Sequence, residues 1–185
     1  MLKLYGGARS RASIVRWYLE ELEVPYEFVL LDMQEKEHHQ PEFLAINPFG
    51  KVPAITDGDF KLWESGAILL YLAEKYGKLP DSSEKRAELA QWILFGNSTL
   101  ATTLFVESAR EREMERLLGS INTVLSERSF LMDEAFSAAD VAVGSMLGYG
   151  KMMVNADYSA YPAVSEYVQR VTQRPAFIKA IASAS

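Results

Sequence analysis

Residues 47–77 of the 185-residue chain read NPFGKVPAITDGDFKLWESGAILLYLAEKYG, and this stretch decides the fold. A DGD triplet at 57–59 separates two short runs of apolar and aromatic residues, a pattern typical of a β-hairpin. We therefore predict strands over 52–56 and 60–63. Ser65 is then expected to cap a helix. The apolar stripe of that helix consists of Leu69, Leu72, Ala73 and Tyr76.

The preceding part of the chain predicts two parallel strands joined by a helix. Residues 2–5 form a short β-type run that Gly6-Gly7 stops, and residues 26–31 form another. Apolar residues recur between them with helical spacing, and a strand–helix–strand crossover makes its strands parallel. After a polar stretch at 32–40, Pro41 suits the first position of a short helix over 42–46.

The predicted order β-α-β-α-β-β-α is that of a thioredoxin-like domain, which we assign to residues 1–76. Residues 77–83 (GKLPDSS) predict a linker. Helical periodicity continues over 84–185, with helices expected near 84–107, 114–125 and 137–150 and after Pro162 and Pro175. The predicted fold class is an α/β thioredoxin-like N-terminal domain plus an all-α C-terminal domain.

Composition excludes several kinds of function. The chain has no Cys and two His, at 38 and 39, so a protein thiol, a disulfide and a three-His zinc site are ruled out. Its 19 Lys and Arg against 25 Asp and Glu give a net charge of −6, which disfavours nucleic acid as a partner. No apolar run reaches the roughly 18 residues of a membrane helix, and MLKLYGGARS resembles no secretory signal. We expect no metal, no nucleic-acid or membrane partner, and a cytoplasmic location.

Two candidate binding positions flank the predicted hairpin. Pro53 cannot donate to a strand ladder, and a cis proline there is common beside thioredoxin-like active sites, where it exposes the backbone of the preceding residue, Val52. A plain edge-strand proline explains the pattern as well. Glu64 and Ser65 sit at a strand-to-helix junction, where a helix N-terminus binds anions and Glu64 could pair with an ammonium group. An ordinary helix cap with an acidic neighbour is the alternative.

A third candidate is the loop GGARSRAS at 6–13, which places Ser10 between Arg9 and Arg11 at a helix N-terminus. Such a site stabilises a thiolate or another anion, although a helix cap with surface arginines explains it equally. A capping Ser10 would accept through its oxygen and keep its hydrogen free to donate. The three loops are expected to converge at one cleft. Ser137 and Asp140, by contrast, predict a capping box with a structural role.

Four segments resemble the cytosolic glutathione transferase family: LKLYG at 2–6, the stretch 47–77, FSAADVAVG at 136–144 and EYVQRVTQRPAFIKA at 166–180. The resemblance covers essentially the whole chain. It implies a homodimer that activates the glutathione thiol for conjugation to small electrophiles. Glutathione would be a co-substrate, with no metal or bound cofactor, and residues 84–185 would form the electrophile pocket.

The resemblance also implies how glutathione is bound. Val52, just before the expected cis Pro53, would hydrogen-bond the cysteinyl backbone. Glu64 and Ser65 would hold the γ-glutamyl end. The residues implied near the glycine carboxylate are His39, Gln40 and Lys51.

Ser10 stands where the theta, phi and zeta classes carry a catalytic serine, and RSRAS at 9–13 is most similar to the zeta pattern. We predict Ser10, supported by Arg11, as the catalytic pair. An arginine of the same loop acting alone (Arg11 before Arg9) and Tyr5, the position used by tyrosine-type classes, remain alternatives.

The chain departs from most of the family in length. The region 84–128 is short of residues between its two helices, which makes the compact chi class the nearest description. A non-catalytic glutathione-transferase-like module for ligand binding or assembly is the alternative function. It would share Pro53, Glu64 and Ser65 but would not activate a thiol.

Overall fold

A computed structural model describes residues 1–76, 79–133 and 135–181. The chain divides into two compact units, Met1–Lys78 together with Pro175–Ser185, and Leu79–Arg174. The last helix, which the sequence assigns to the helical domain, therefore belongs to the first unit. Gly77 and Lys78, which begin the predicted linker, lie outside the described residues.

Four strands in the described part of the first unit form one mixed sheet in the order β2-β1-β3-β4. They are β1 (Leu2–Gly6), β2 (Tyr26–Leu30), β3 (Ala54–Asp57) and β4 (Phe60–Trp63). β1 runs parallel to β2 and antiparallel to β3, and β3 and β4 form the expected hairpin. β3 begins after Pro53 and not at residue 52, because proline has no N–H for the ladder. The thioredoxin-like order is confirmed.

The helices of the first unit follow the apolar periodicity. They are α1 (Ala12–Glu21), α2 (Pro41–Leu44), α3 (Ser65–Lys75) and, from the end of the chain, α9 (Pro175–Ala180), with a 3-10 turn at Glu37–His39 that the sequence analysis missed. The fully buried Trp17 of α1 meets the ring of Phe177 of α9 edge-on at 4.9 Å. Lys179 also pairs with Glu20 at 2.6 Å. These contacts attach α9 to the first unit.

The second unit consists of helices in its described residues. They are α4 (Ser83–Leu94), a π segment (Phe95–Leu100), α5 (Ala101–Phe105), α6 (Glu107–Ser126), α7 (Ala138–Val154) and α8 (Pro162–Thr172). The π segment interrupts the helix predicted over 84–107. Only Val106 separates α5 from α6, so the connection between these two helices is a single residue.

Helix α7 forms the core of the second unit, with most of its residues buried. Ser137 caps it through the predicted capping box with Asp140. Gly96 of the π segment packs so closely that a Cβ there would lie 3.0 Å from the Ala142 carbonyl carbon. In the described residues no single helix is long and apolar enough to cross a membrane. The segments Ser83–Phe105 and Glu107–Ser126 reach that length and apolar character only when taken together, and they are bent relative to each other by 119°.

Candidate active site

Strand register brings the three predicted loops to one edge of the sheet. Tyr5, near the end of β1, pairs with Ala54 at the start of β3, and Ala54 pairs with Trp63 at the end of β4. The loop after β1, the Val52–Pro53 segment before β3 and the Glu64–Ser65 junction after β4 therefore leave the sheet side by side. The predicted convergence of these loops is confirmed within the first unit.

Ser10 lies in the loop between β1 and α1. Its hydroxyl donates to the Gly7 carbonyl at 3.0 Å and accepts from the Ala12 backbone N–H at 3.3 Å. The expectation that capping leaves the hydroxyl hydrogen free is therefore wrong for this structure, because the tight turn places the Gly7 carbonyl within reach. A rotation of the hydroxyl away from Gly7 is needed before it can donate to a ligand.

The arginines of this loop are exposed. α1 begins at Ala12 and its N-cap position is Arg11, whose carbonyl accepts the Ile14 N–H at 3.1 Å. Arg9 and Arg11 thus stand beside the positive end of the α1 dipole, where both favour an anion.

Tyr5 belongs to a different part of the first unit. Its hydroxyl lies 3.5 Å from the Thr56 hydroxyl, and its ring centroid lies 5.9 Å from that of Phe43 in α2. It lines a cavity of about 460 Å³ together with Gln40 and residues of β2 and α2. Because side chains alternate along a strand, Tyr5 faces the side of the sheet opposite to the fully buried Leu4. This position favours a packing role for Tyr5.

The turn before β3 is held by Asn47, which the sequence analysis treated only as a turn residue. Its buried side chain donates to the Lys51 carbonyl at 2.7 Å and accepts the Phe49 N–H at 3.1 Å. The Val52–Pro53 peptide bond is cis, as expected. Among the described residues neither the N–H nor the C=O of Val52 makes a hydrogen bond. Both groups are available to a ligand at this edge.

Glu64 and Ser65 differ from the sequence prediction in one respect. The N-cap position of α3 is Glu64, which makes no capping bond through its side chain, and Ser65 is the first helical residue. Ser65 is buried and Glu64 is exposed. Glu64 has φ 71° and ψ 120°, a conformation that costs a non-glycine residue about 1–3 kcal/mol. Such strain at a helix N-terminus is typical of a binding site.

The structure places the three residues predicted near the glycine carboxylate in two different surroundings. His39 packs on Gly50, since a Cβ on Gly50 would lie 2.6 Å from its Cδ2, and this places His39 next to the exposed Lys51. Gly50 has φ 60°, which favours glycine and permits the close approach. Gln40 lies instead at the start of α2 and lines the cavity with Tyr5.

The fold and this edge define a thioredoxin-like protein with three loops gathered at one edge of the sheet and a helical second unit. Residues 1–74 match the model of the glutathione S-transferase N-terminal domain, and residues 106–175 match that of the C-terminal domain. The chain therefore belongs to the glutathione S-transferase family, as the sequence resemblance indicates.

Relatives agree with this assignment over nearly the whole chain. Glutathione S-transferase GstB of Escherichia coli is 31% identical over 204 residues, covering 98% of each chain. Disulfide-bond oxidoreductase YfcG of Escherichia coli is 30% identical over 207 residues, covering 100% of this chain and 96% of that protein. The crystal structure of glutathione transferase URE2P6 from Phanerochaete chrysosporium in complex with oxidized glutathione has a TM-score of 0.84 at 30% identity. The match covers 99% of this chain and 96% of that one.

Proposed function

We propose that this protein is a glutathione transferase that holds the glutathione thiol as a thiolate and conjugates it to small electrophiles. The observation that carries the proposal is the register that brings the Ser10 loop, Val52 and the Glu64–Ser65 junction to one sheet edge. Glutathione is a co-substrate, and the chemistry needs no metal or other cofactor. Cytoplasmic detoxification is the role that we propose for this activity.

Each part of glutathione has a complementary group at this edge. The unpaired backbone of Val52 beside Pro53 suits the amide groups of the cysteinyl residue. The N-terminus of α3 with Ser65 suits the γ-glutamyl carboxylate, and the exposed Glu64 carboxylate suits its ammonium group. His39 and Lys51, with Gln40 further along, supply the groups that we assign to the glycine carboxylate.

Thiol activation requires a substantial electrostatic contribution. A free thiol has a pKa near 8.5, and lowering it by about two units takes roughly 2.7 kcal/mol of preferential thiolate stabilisation. A charge-assisted bond from the Ser10 hydroxyl, once rotated away from Gly7, supplies about 1.5–3 kcal/mol. The α1 dipole and Arg11 supply the rest. The thiolate then forms a carbon–sulfur bond, and the electrophile loses a leaving group or takes up a proton.

Absorbance of bound glutathione tests the proposal directly. We expect a thiolate band that titrates below pH 8.5, together with turnover of members of an electrophile panel such as aryl halides and activated alkenes. Glutathione binding without a thiolate band or turnover would instead support a non-catalytic ligand-binding module.

A second candidate function is reduction of small disulfides. The similarity to a disulfide-bond oxidoreductase over the full chain favours it. Because this chain has no Cys, both thiols must come from glutathione. One bound thiolate would attack the substrate disulfide and release one half of it as a thiol. A second glutathione would then attack the mixed disulfide, form oxidized glutathione and release the other half as a thiol. Formation of oxidized glutathione from a small disulfide, measured beside the electrophile panel, distinguishes the two activities.

Two substitutions of Glu64 distinguish its proposed role in glutathione binding from the backbone strain at this position. Glu64→Gln removes the charge proposed to meet the ammonium group, so we expect glutathione affinity to fall about tenfold with little change in turnover at saturation. Glu64→Gly should also weaken binding, yet it should raise the free energy of unfolding by about 1 kcal/mol because glycine adopts a positive φ with less strain than glutamate. Calorimetric titration and urea unfolding measure the two effects. A Glu64→Gly variant less stable than wild type would contradict the strain.

We also propose that the protein is a homodimer. Phe49 is 64% exposed and meets the Trp63 ring edge-on at 4.9 Å, an aromatic pair suited to burial by a second copy. Phe49→Ser should therefore raise the dimer dissociation constant about thirtyfold or more, measured by sedimentation. The control is Ile178→Ser, at another exposed apolar residue, 47% exposed in α9. A wild-type monomer at micromolar concentration would contradict the dimer.

A further inference from the structure

Met33 lies against the loop that carries Ser10. A Cβ built on Gly7 would lie 2.6 Å from Met33 Cγ and 3.0 Å from Met33 Sδ, so the thioether packs directly on the Gly7 backbone. The Gly7 carbonyl in turn accepts the Ser10 hydroxyl at 3.0 Å. Two successive contacts thus connect the sulfur of Met33 to the hydroxyl of Ser10.

The Met33 side chain is also partly exposed to solvent. Met33 is 39% exposed, and the chain contains seven Met and no Cys, so thioethers are its only sulfur groups. Met152 and Met153 are more exposed, at 53% and 69%, but they belong to α7 in the second unit. They provide a matched comparison for oxidation of methionines that belong to the other unit.

We propose that Met33 is an oxidation site through which a hydroperoxide lowers the reactivity of bound glutathione; this rests on the proposed activation of the thiol by the Ser10 loop. The sulfur lone pair attacks one peroxide oxygen, the O–O bond breaks, and the departing oxygen leaves with the proton as water or an alcohol. The sulfur is oxidised by two electrons to the sulfoxide, and the hydroperoxide is reduced by two.

The contact with Gly7 explains why oxidation has a consequence at Ser10. A sulfoxide is polar and larger than a thioether, and the Met33 side chain packs closely on the Gly7 backbone. The oxidised side chain therefore moves toward solvent, and the Gly7 backbone loses its apolar cover. Because the Gly7 carbonyl anchors the Ser10 side chain at 3.0 Å, displacement of the Gly7 backbone carries the Ser10 oxygen away from the place at which its hydroxyl would turn toward the thiolate. We expect kcat/KM for conjugation to fall roughly tenfold.

The test compares wild type, Met33→Leu and the double variant Met152→Leu/Met153→Leu, each before and after hydrogen peroxide. Leucine keeps an apolar contact with Gly7 but cannot be oxidised. Peptide mass spectrometry reports sulfoxide at each position, hydrogen exchange reports the amides of residues 6–13, and absorbance reports the thiol pKa of bound glutathione. We expect peroxide to raise exchange and thiol pKa in wild type and in the double variant, but not in Met33→Leu. A methionine sulfoxide reductase should reverse the change.

Three results would overturn the proposal: equal losses in Met33→Leu, complete Met33 sulfoxide with unchanged exchange and thiol pKa, or an unoxidised Met33 beside oxidised Met152 and Met153. Untreated wild type without a thiolate band would instead refute the proposed function. In that case hydrogen exchange of residues 6–13 still decides whether oxidation of Met33 reaches the loop.

Discussion

Ser10→Ala is expected to raise the thiol pKa of bound glutathione by about one to two units, because a charge-assisted hydrogen bond to the thiolate contributes roughly 1.5–3 kcal/mol. At a pH below the wild-type pKa, kcat/KM should fall about ten- to a hundredfold, since the thiolate is the nucleophile. Absorbance titration of the bound complex and conjugation rates over pH measure both effects. The loss should appear as a displaced pH profile, which a purely structural defect would not produce.

The matched control for Ser10 is Ser13, whose hydroxyl donates to the Ser10 carbonyl at 2.8 Å in the same turn. Ser13→Ala should leave the thiol pKa near its wild-type value. Ser10→Ala also removes the bond from the Ala12 N–H, so about 1 kcal/mol of stability is expected to be lost with that hydrogen bond. Thermal unfolding measures that part separately. An unchanged thiol pKa in Ser10→Ala would indicate that an arginine of this loop activates the thiol, Arg11 before Arg9. If substitution of these arginines also leaves the pKa unchanged, Tyr5→Phe is the last test.

Asp140→Ala is expected to lower the free energy of unfolding by about 3–5 kcal/mol, a large share of the roughly 5–15 kcal/mol of a typical domain. The buried carboxylate accepts four bonds: from the Leu131 N–H at 2.9 Å, the Ser137 N–H at 2.9 Å, the Ser137 hydroxyl at 3.1 Å and the Tyr167 hydroxyl at 3.0 Å. Alanine would leave all four donors without this acceptor. Urea unfolding followed by circular dichroism gives the change.

Two further variants distinguish the loss of these four hydrogen bonds from the loss of a negative charge alone. Asp157 is exposed and accepts only from the backbone N–H and the hydroxyl of Ser159, so Asp157→Ala should cost less than about 1 kcal/mol. Asp140→Asn keeps the shape but turns an NH₂ group toward donors, and we expect it to be destabilised by about 2 kcal/mol. A fully stable Asp140→Asn would show that shape alone is needed. Burial raises the pKa of Asp140, and the four donors oppose that rise.

Local chemistry explains why much of the site was predictable. Pro53, the Glu64–Ser65 junction and the 6–13 loop each follow from turn, cap and strand rules, and the predicted strand order places them at one edge. The side chains themselves were less predictable. Ser10 binds the Gly7 carbonyl, Glu64 takes the N-cap position expected for Ser65, and Gln40 lines a cavity with Tyr5. Each arrangement depends on backbone groups whose positions are set only in the folded turn.

The amino-acid sequence by itself determined the order of elements, the β3–β4 hairpin, the capping box at Ser137 and the chemical groups available at the loops, since these depend on neighbours close in the chain. Tertiary structure alone decided three other features: the packing of α9 against α1, the π segment at Phe95–Leu100 and the contact of Met33 with Gly7. The first and the third join residues far apart in the chain, and the π segment packs its Gly96 against the Ala142 backbone. Their positions follow from close packing, which depends on the whole fold and not on neighbours in the chain.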